Sequence, residues 1–586
     1  MRSLRYVFAL SGVAILALSL SGFLLRDRVH SQLADWPGEY GYKHQLISLF
    51  SPLFERPVDT DDMAPMTHRD VNPYGMNTFF EQEVEEWKLR RSMEMLRDAG
   101  AHWVRQQIPW RDIEIPAKGQ YVDKYGQSTW EKYDRIVALT QEYGLEIMAR
   151  LDAPPDWSRS DNSVSQRPPD RLSDWGDFVY TFVSRYKGKV RYYQLWNEPN
   201  IYPEWGNQPV DAAAFVELLK VGYARAKEAD PSCVIVCAAL APTNGTPDGM
   251  NENEFDFLQK MYDAGARPYF DVMSAMGYGM DTGPRDRRTS ETRLDFSRVR
   301  LLREVMVRNG DEGKSVWLSE VGWNVLPPDF PGPATHGRVS DEEQARYTED
   351  AYKRAQAEWP WVGTMFFWHF RKVTDEERDR VEFYFRMVDP DFTPHPVYFS
   401  YARTALRPPA LTKGYHQEDS WALRYSQGWK LERDDEAVLG QWAVARNAGD
   451  TLSFRMAGTK LWLVTRVGPA GGRLYVTIDG RPQRSNALPL DRGGHAYVDL
   501  RFPEERRVEV LLAQGLPPGS HDVSITVIDA GGGVAVDGLI VGRTRTTPVK
   551  PLLAGSAGIA LLAVFAILAA WRARGRVGPA ASGARD

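Results

Sequence analysis

YQLWNEPN, residues 193–200, and VWLSEVGW, residues 316–323, decide the fold of this chain. Each stretch is an apolar or aromatic run of the kind that forms a buried strand, and each run stops at a glutamate, Glu198 or Glu320. Burying a carboxylate without a partner is unfavourable, because the ion loses its hydration. We therefore interpret both glutamates as functional groups at the ends of two core strands.

The region around these stretches alternates short apolar runs with amphipathic segments, which is typical of βαβ units and a parallel sheet. Helices are predicted at 83–99 and 130–143, each followed by a glycine that can end a helix. Eight strands are predicted, at 75–80, 102–108, 146–151, 191–197, 233–239, 270–277, 316–320 and 363–368. Eight rounds of strand and helix between residues 74 and 406 predict an α/β fold, a (β/α)8 TIM barrel.

The pattern changes after a proline-containing linker at 407–409. From 411 to 546, short β-rich runs are separated by Gly- and Pro-rich turns, among them the hairpin-type dipeptide Asp479-Gly480. This spacing predicts that the barrel is followed by an all-β sandwich of jelly-roll type.

An apolar run lies near each end of the chain. Arg2 and Arg5 flank a run from about residue 6 to 25, and a second run at 551–571 is followed by three arginines. About 20 apolar residues span a bilayer as a helix, and basic flanking residues stay on the cytoplasmic side. We expect a signal anchor or cleaved signal peptide at 1–28 and a transmembrane helix at 551–571.

These expectations place most of the chain outside the cytoplasm, in the periplasm or on the outer face of the cell membrane. The predicted parts between and beyond the membrane segments are a membrane-proximal segment at 29–73, the barrel at 74–406, the sandwich at 411–546 and a cytoplasmic tail at 572–586.

Net charge, cysteine spacing and the lack of metal-binding motifs exclude several classes of function. A net charge of −6 over 586 residues lacks the basic character of a nucleic-acid-binding protein. Cys233 and Cys237 lie four residues apart in a predicted strand, ~13 Å from one another, which is too far for a disulfide. We expect both to be small core residues. No HExxH or paired CxxC pattern indicates a metal, and the oligomeric state stays open.

The two glutamates suggest a reaction. Strand C-termini converge on one face of a (β/α)8 barrel, so Glu198 after strand 4 and Glu320 after strand 7 would meet there. A pair of carboxyls flanking one bond is what glycoside hydrolysis requires, and no cofactor is needed. Glu198 would act as acid and then base, with a pKa raised by burial and by Glu320. Glu320 would be the nucleophile, and Asn197 could reach the sugar 2-hydroxyl.

Trp-Asn-Glu-Pro at 196–199 and Ser-Glu-Val-Gly-Trp at 319–323 carry a resemblance to clan A retaining glycoside hydrolases. Over residues 74–406 the chain is most similar to family 39, which contains β-xylosidases, α-iduronidases and biofilm exopolysaccharide glycosidases. The resemblance implies Glu198 as acid/base and Glu320 as nucleophile. Many relatives read His-Pro-Tyr on strand 6, where this chain has Met276-Gly277-Tyr278, and this departure bears on the identity of the substrate.

The same resemblance implies substrate-binding or supporting roles for five more side chains. Arg105 would donate to the nucleophile, Tyr278 would hydrogen-bond it, and Trp368 would form the floor of a sugar subsite. Asp152 and Trp157 would belong to a sugar-contacting loop. The alternative interpretations are a salt bridge that closes the barrel for Arg105, and core packing for Tyr278 and Trp368.

We therefore expect a membrane-tethered retaining glycoside hydrolase that acts on an extracytoplasmic polysaccharide. Two alternatives stay open: a transglycosylase, and a non-catalytic polysaccharide-binding or export-assembly protein built on the same barrel. The sandwich resembles carbohydrate-binding domains through Trp462 and its hairpins, and a spacer between barrel and membrane is the alternative. The sequence leaves the sugar, the linkage and endo or exo action open.

Overall fold

The structure is a computed structural model that describes residues 57–482 and 488–542. The predicted membrane segments at 1–28 and 551–571 and the predicted tail at 572–586 lie outside these residues. Over the two described ranges, no helix combines the length and the apolar character needed to cross a bilayer.

Eight parallel strands form the first sheet. They are β1 (Tyr74–Thr78), β2 (Trp103–Pro109), β3 (Glu146–Asp152), β4 (Tyr192–Leu195), β5 (Val234–Cys237), β6 (Met273–Tyr278), β7 (Val316–Gly322) and β8 (Val362–Phe367). Their order is β5-β4-β3-β2-β1-β8-β7-β6. Parallel bridges from Val236 to Val272 and from Leu240 to Ala275 join the β5 and β6 segments, which closes the sheet into a barrel.

One α-helix follows each barrel strand. The helices are α1 (Glu86–Asp98), α2 (Trp130–Glu142), α3 (Leu172–Tyr186), α4 (Ala212–Ala229), α5 (Glu254–Asp263), α6 (Val299–Arg308), α7 (Asp341–Glu358) and α8 (Pro396–Ala405). The start of α7 has a capping box, in which the side chains of Ser340 and Glu343 each accept from the other's backbone N–H. The predicted (β/α)8 barrel is confirmed.

The predicted strand ends at the two glutamates are wrong. β4 stops at Leu195, three residues before Glu198, and β7 continues through Glu320 to Gly322. In the first case the chain turns early, because Trp196 takes a positive φ of 72° that a strand cannot contain.

The inside of the barrel has two unlike layers. Near the strand N-termini, an apolar cluster comprises Trp103, Met148, Tyr192, Val234, Val236, Val272, Trp317 and Phe366. Side chains two residues apart in a strand share a face. Arg105 and Gln194 therefore point inward one layer nearer the C-terminal mouth, where both are buried.

Two antiparallel sheets follow the barrel. Their strands are β9 (Gly414–Gln417), β10 (Arg424–Tyr425), β11 (Trp429–Arg433), β12 (Gln441–Ala445), β13 (Thr451–Ala457), β14 (Lys460–Val467), β15 (Arg473–Ile478), β16 (Arg481–Pro482), β17 (Tyr497–Asp499), β18 (Arg506–Gln514), β19 (Ser520–Asp529) and β20 (Val534–Gly542). One sheet has the order β10-β13-β19-β15-β16 with β17 beside β15, and the other β11-β12-β20-β14-β18 with β9 beside β20. Both contribute to one apolar core, so this part of the chain is a sandwich. Its jelly-roll topology stays a prediction.

Residues 58–73, which belong to the predicted membrane-proximal segment, pack beneath the barrel. The indole N–H groups of Trp103 and Trp317 donate to the backbone oxygens of Asn72 at 2.7 Å and His68 at 2.9 Å. Asp70 receives the backbone N–H of Gln417 in β9 at 2.8 Å, so the segment also contacts the sandwich. In β5 and just before it, Cys237 and Cys233 are unpaired and buried, which confirms their prediction as core residues.

Candidate active site

Glu320 points into the barrel because β7 carries an irregularity. Ala275 of β6 pairs with Leu318, but the next residue, Met276, pairs with Glu320, so Ser319 is an extra residue in β7. Regular alternation from the inward-facing Trp317 would turn Glu320 outward, toward the helices. A bulge re-aims the side chains that follow it, and Glu320 lies inside the barrel with 4% of its surface exposed.

Both carboxylate oxygens of Glu320 accept hydrogen bonds. Arg105 Nη1 donates to Oε1 at 2.7 Å, and the Tyr278 hydroxyl donates to Oε2 at 2.5 Å. Burial, and after it the charge of Glu320, raise the pKa of Tyr278 well above its ordinary value, so the phenol keeps its proton. The structure therefore brings together the predicted nucleophile and two of its predicted supporting residues.

Arg105 is the centre of a wider hydrogen-bond network. Its side chain is 1% exposed, and besides Glu320 it donates to Asn77 Oδ1 at 2.9 Å, Gln194 Oε1 at 2.7 Å and Asn197 Oδ1 at 2.8 Å. Burial lowers the pKa of Arg105 from its ordinary value, and the charge of Glu320 opposes that effect. Sequence reasoning missed Asn77 and Gln194, although inward-facing polar residues in otherwise apolar strands were a usable signal.

Glu198 lies on a tight turn just beyond β4. Glu198 itself has a φ of 41°, and its backbone N–H donates to the Ala239 oxygen at 2.9 Å, while the Trp196 N–H donates to the Leu151 oxygen at 2.9 Å. The turn is thus tied to β3 on one side and to the segment after β5 on the other, and residues outside the common backbone regions are held this way at functional sites. Asn197 Nδ2 donates to Glu198 Oε2 at 3.2 Å.

The electrostatic environment of Glu198 favours the protonated acid. Burial is the largest cause that raises its pKa well above the ordinary value, followed by the negative charges of Glu320 and Glu204. Glu198 and Glu320 thus interact electrostatically, and the hydrogen bonds Glu320–Arg105–Asn197–Glu198 connect them. Paired carboxyls with unlike environments are suited to an acid role and a nucleophile role.

A second charged group adjoins this network. Asp152, at the end of β3, accepts from Gln107 Nε2 at 2.8 Å and forms an ion pair with Arg150 at 2.7 Å. Glu204 lies in the loop after β4, and burial raises its pKa to about 7, against the effect of the Arg150 charge. Asp152 was predicted, but Arg150 and Glu204 were missed, because a single charged residue in a loop carries no periodic signal.

Trp368 follows β8 directly and is partly exposed at the same end of the barrel. Its ring centroid lies 5.7 Å from that of Phe79 in an edge-on contact, and its backbone N–H donates to the Val321 oxygen at 2.8 Å. Its neighbour His369 is fully buried, with its Nε2 3.2 Å from the Glu382 oxygen. Burial lowers the pKa of His369 well below its ordinary value, so the imidazole is neutral.

Trp157 is not joined to the two glutamates by any hydrogen bond or ring contact in the described part of the chain. Its indole N–H donates to the Glu114 oxygen at 2.7 Å, and its ring packs edge-on against Trp110 at 5.6 Å. His336, which sequence reasoning missed, lies closer to the site, with its ring 6.0 Å from that of Tyr278 and its Nε2 3.5 Å from Glu382. The His336 imidazole thus lies beside Tyr278, although strand 6 itself contains no histidine.

The arrangement defines a class of site: two linked glutamates at the C-terminal mouth of a (β/α)8 barrel. Within residues 57–482 and 488–542, no group of three or more His, Cys, Asp or Glu side chains could hold a metal ion.

Comparison with known proteins gives three results. No family model matches the chain. No curated protein matches it either. Solved structures do match, and they include three enzymes of glycoside hydrolase family 39, the family that the sequence resembles.

These three come from different bacteria. The family 39 glycoside hydrolase from Bacteroides cellulosilyticus has 17% identity, with 79% of this chain and 83% of that chain covered and a TM-score of 0.42. The enzyme from Xanthomonas axonopodis pv. citri has 15% identity, coverage of 82% and 96%, and a TM-score of 0.43. The β-xylosidase from Caulobacter crescentus has 15% identity, coverage of 80% and 98%, and a TM-score of 0.43.

Proposed function

We propose that this protein is a retaining glycoside hydrolase. The observation that carries the proposal is the connected pair of glutamates. Glu320 accepts from two buried donors, and Glu198, with a raised pKa, is linked to it through Arg105 and Asn197. One group is thus arranged to attack and the other to give a proton, which is the division of labour in double displacement.

In the first step a Glu320 oxygen attacks the anomeric carbon and the glycosidic C–O bond breaks. Glu198 gives its proton to the departing oxygen, and the sugar stays covalently bound to Glu320. In the second step Glu198, now ionised, takes a proton from water. The water oxygen attacks the anomeric carbon, the bond to Glu320 breaks, and the product leaves with its original configuration.

The surrounding side chains fit this sequence of steps. Arg105 and Tyr278 orient the Glu320 carboxylate. They also stabilise its negative charge when hydrolysis of the covalent intermediate releases the carboxylate. Asn197 is held by Arg105 and can turn an amide N–H toward a sugar hydroxyl. Trp368 offers a partly exposed ring beside Phe79, suited to stacking on a sugar.

The proposed class of substrate and the proposed location rest on the sequence alone. The terminal apolar runs support a tether at the cell membrane with the barrel outside the cytoplasm, and hence a polysaccharide at the cell envelope as substrate. A transglycosylase would use the same first step and a sugar hydroxyl in the second. The raised pKa of Glu198 argues against a purely binding role. A saccharide-binding groove has no need of a protonated carboxyl beside a carboxylate.

The test is the configuration of the first product. The full-length protein is incubated with a panel of aryl glycosides and with envelope polysaccharides, and the anomeric signals are followed by NMR before mutarotation. We expect release of a sugar that keeps the configuration of the substrate. Product of inverted configuration would overturn the nucleophile assignment, and no hydrolysis of any member would favour the binding protein.

Variants at Glu198 separate the acid role from the nucleophile role. In Glu198→Ala, glycosides whose leaving group needs no proton should still form the covalent intermediate, whereas alkyl glycosides should not react. Added azide, which needs no general base, should then release a glycosyl azide of retained configuration. Equal losses on both kinds of leaving group would contradict an acid/base role for Glu198.

A further inference from the structure

A cavity of about 570 Å³ lies at the end of the barrel opposite the two glutamates. It is bounded by the N-terminal ends of barrel strands, by the segment before β1, and by β9, β12 and neighbouring loops of the sandwich. Its size falls within the range of small-molecule sites, about 300–1,000 Å³. None of the residues assigned to the hydrolytic reaction lines it.

Rigid aromatic rings form part of its wall. Trp103 and Tyr192 meet edge-on at the base of the barrel, with ring centroids 4.9 Å apart, and the Arg191 guanidinium lies 5.6 Å over the Tyr192 ring. Trp421, in the loop between β9 and β10, is partly exposed, and its backbone N–H donates to the Asp70 oxygen at 3.0 Å. Such rings provide apolar surface with little loss of side-chain entropy on binding.

Two further carboxyls, those of Glu418 and Asp419, line the cavity, and neither forms a close ion pair among the described residues. Glu418 is buried and accepts from the Gln441 amide at 2.9 Å, while Asp419 is exposed. Burial raises the pKa of Glu418 to about 7. A carboxylate can accept several more hydrogen bonds than the one that Gln441 donates to Glu418, so a ligand in the cavity can donate to this buried group.

Most other titratable groups at the cavity have a nearby partner or are neutral. Asp70 pairs with His416 at 2.8 Å and with Arg69 at 2.6 Å, and Glu146 lies 3.3 Å from His102. Burial lowers the pKa of His68 to about 4, so its ring is neutral at pH 7. The carboxyls of Glu418 and Asp419 outnumber the one guanidinium that lines the cavity, that of Arg191, which makes the cavity unfavourable for an anion.

We propose that this cavity is a second saccharide-binding site, selective for neutral or amine-bearing sugar units and against anionic ones. Carboxylates and amides accept and donate to neighbouring hydroxyls of a sugar ring, and the aromatic edges contact its C–H groups. The site would hold a saccharide at the far end of the barrel while the glutamates act on another. The link to catalysis rests on the proposed function, but the binding itself does not.

The test uses the full-length protein carrying Glu320→Gln, so that no probe is hydrolysed, purified without sugar-headed detergents. Binding of three probes is measured by calorimetry: cellohexaose (neutral), the chitosan hexamer (amine-bearing) and the hexamer of galacturonic acid (anionic). Asp419→Arg introduces a cation into the cavity at an exposed position. Asp435→Arg makes the same charge change at an exposed position outside the cavity lining and is the matched control.

We expect at least one of the neutral and amine-bearing hexamers to bind at a site that Asp419→Arg weakens tenfold or more and Asp435→Arg leaves intact. Asp419→Arg in the otherwise native chain should leave the hydrolysis of a small aryl glycoside unchanged. The inference is overturned if neither hexamer shows a site sensitive to Asp419→Arg, or if the anionic hexamer binds there equally well. Absence of hydrolysis by the native chain, with this binding intact, would instead overturn only the proposed function.

Discussion

The two ends of the barrel interior are built from the same strands and differ in almost every property. β2 carries Trp103 near its start and Arg105 two residues later, and β4 carries Tyr192 and Gln194 in the same way. In β7, Trp317 is followed three residues later by Glu320. The first member of each pair joins the apolar cluster at the bottom, and the second belongs to the hydrogen-bond network at the mouth.

The difference between the two layers shows which part of the barrel interior stabilises the fold and which part carries the reactive groups. Aromatic rings at the bottom fill the barrel and remove apolar surface from water, which favours folding. The mouth contains a buried guanidinium and carboxylate, and desolvation of such a pair can exceed the attraction between them. In a (β/α)8 barrel the bottom therefore stabilises the fold, while the C-terminal mouth holds reactive groups.

The largest effect should come from Glu320→Gln at the mouth. The amide keeps the shape of the side chain but cannot form the covalent bond, so kcat should fall by about 10³-fold or more. The free energy of unfolding should change far less than kcat does. Rates on an aryl glycoside and urea unfolding curves check both parts.

Glu312→Gln is the matched control, since Glu312 precedes the other end of the same strand. It should retain full activity. A kcat reduced equally in both variants, or left unchanged by Glu320→Gln, would break the distinction between the two ends.

A smaller effect is expected at the bottom of the barrel, where a substitution should reduce stability and leave activity nearly unchanged. Trp317→Ala leaves a cavity in the apolar layer and removes the hydrogen bond to His68, so the free energy of unfolding should fall by about 3–5 kcal/mol. Activity per folded molecule should stay within a few-fold of the native value, because no reacting group is touched. Denaturant unfolding and rates corrected for the folded fraction measure this, and a selective loss of kcat would show that the two layers are coupled.

The smallest effect, a few-fold change in kcat/KM, concerns the pH dependence of activity and tests the electrostatics of the C-terminal mouth. The Glu204 carboxyl, whose pKa is about 7, is one cause that raises the pKa of Glu198. Glu204→Gln removes a nearby negative charge, so Glu198 should ionise more easily and at lower pH. Because the general acid must be protonated, the alkaline limb of kcat/KM should move to lower pH.

The effect of Glu204→Gln should be greatest above pH 7, where Glu204 carries its charge in the native chain, and should vanish near pH 5. Glu376→Gln, at an exposed position, serves as the control. A shift of the limb to higher pH would contradict the assignment of Glu198 as the acid.

Much of the fold could be predicted from local patterns. Apolar runs of four to seven residues between amphipathic segments located all eight barrel strands, because strand and helix impose different periods on the side chains. The strand ends at the glutamates could not be predicted. The positive φ of Trp196 depends on contacts of the turn with β3 and with the segment after β5, which lie far away in sequence.

The site was predictable to the extent that it follows a contiguous motif. Asn197, Glu198 and Glu320 lie in such motifs, and Arg105 and Tyr278 came from the resemblance to family 39. Asn77, Gln194 and Glu204 were missed, since each acquires its role only by contact with residues remote in the chain. Trp157 shows the converse, because an aromatic in a promising loop is held by packing against Trp110.

The sequence by itself determined that parallel strands alternate with helices and that two of the strand segments bring glutamates to one mouth. It did so because hydrophobic period and turn chemistry are local properties of the chain. Only the tertiary structure decided that Glu320 faces inward, through the extra residue at Ser319, and that Arg105 joins it to Asn197. Direction and partnership of buried polar groups depend on neighbouring strands, and simple alternation along β7 would have pointed the carboxylate the other way.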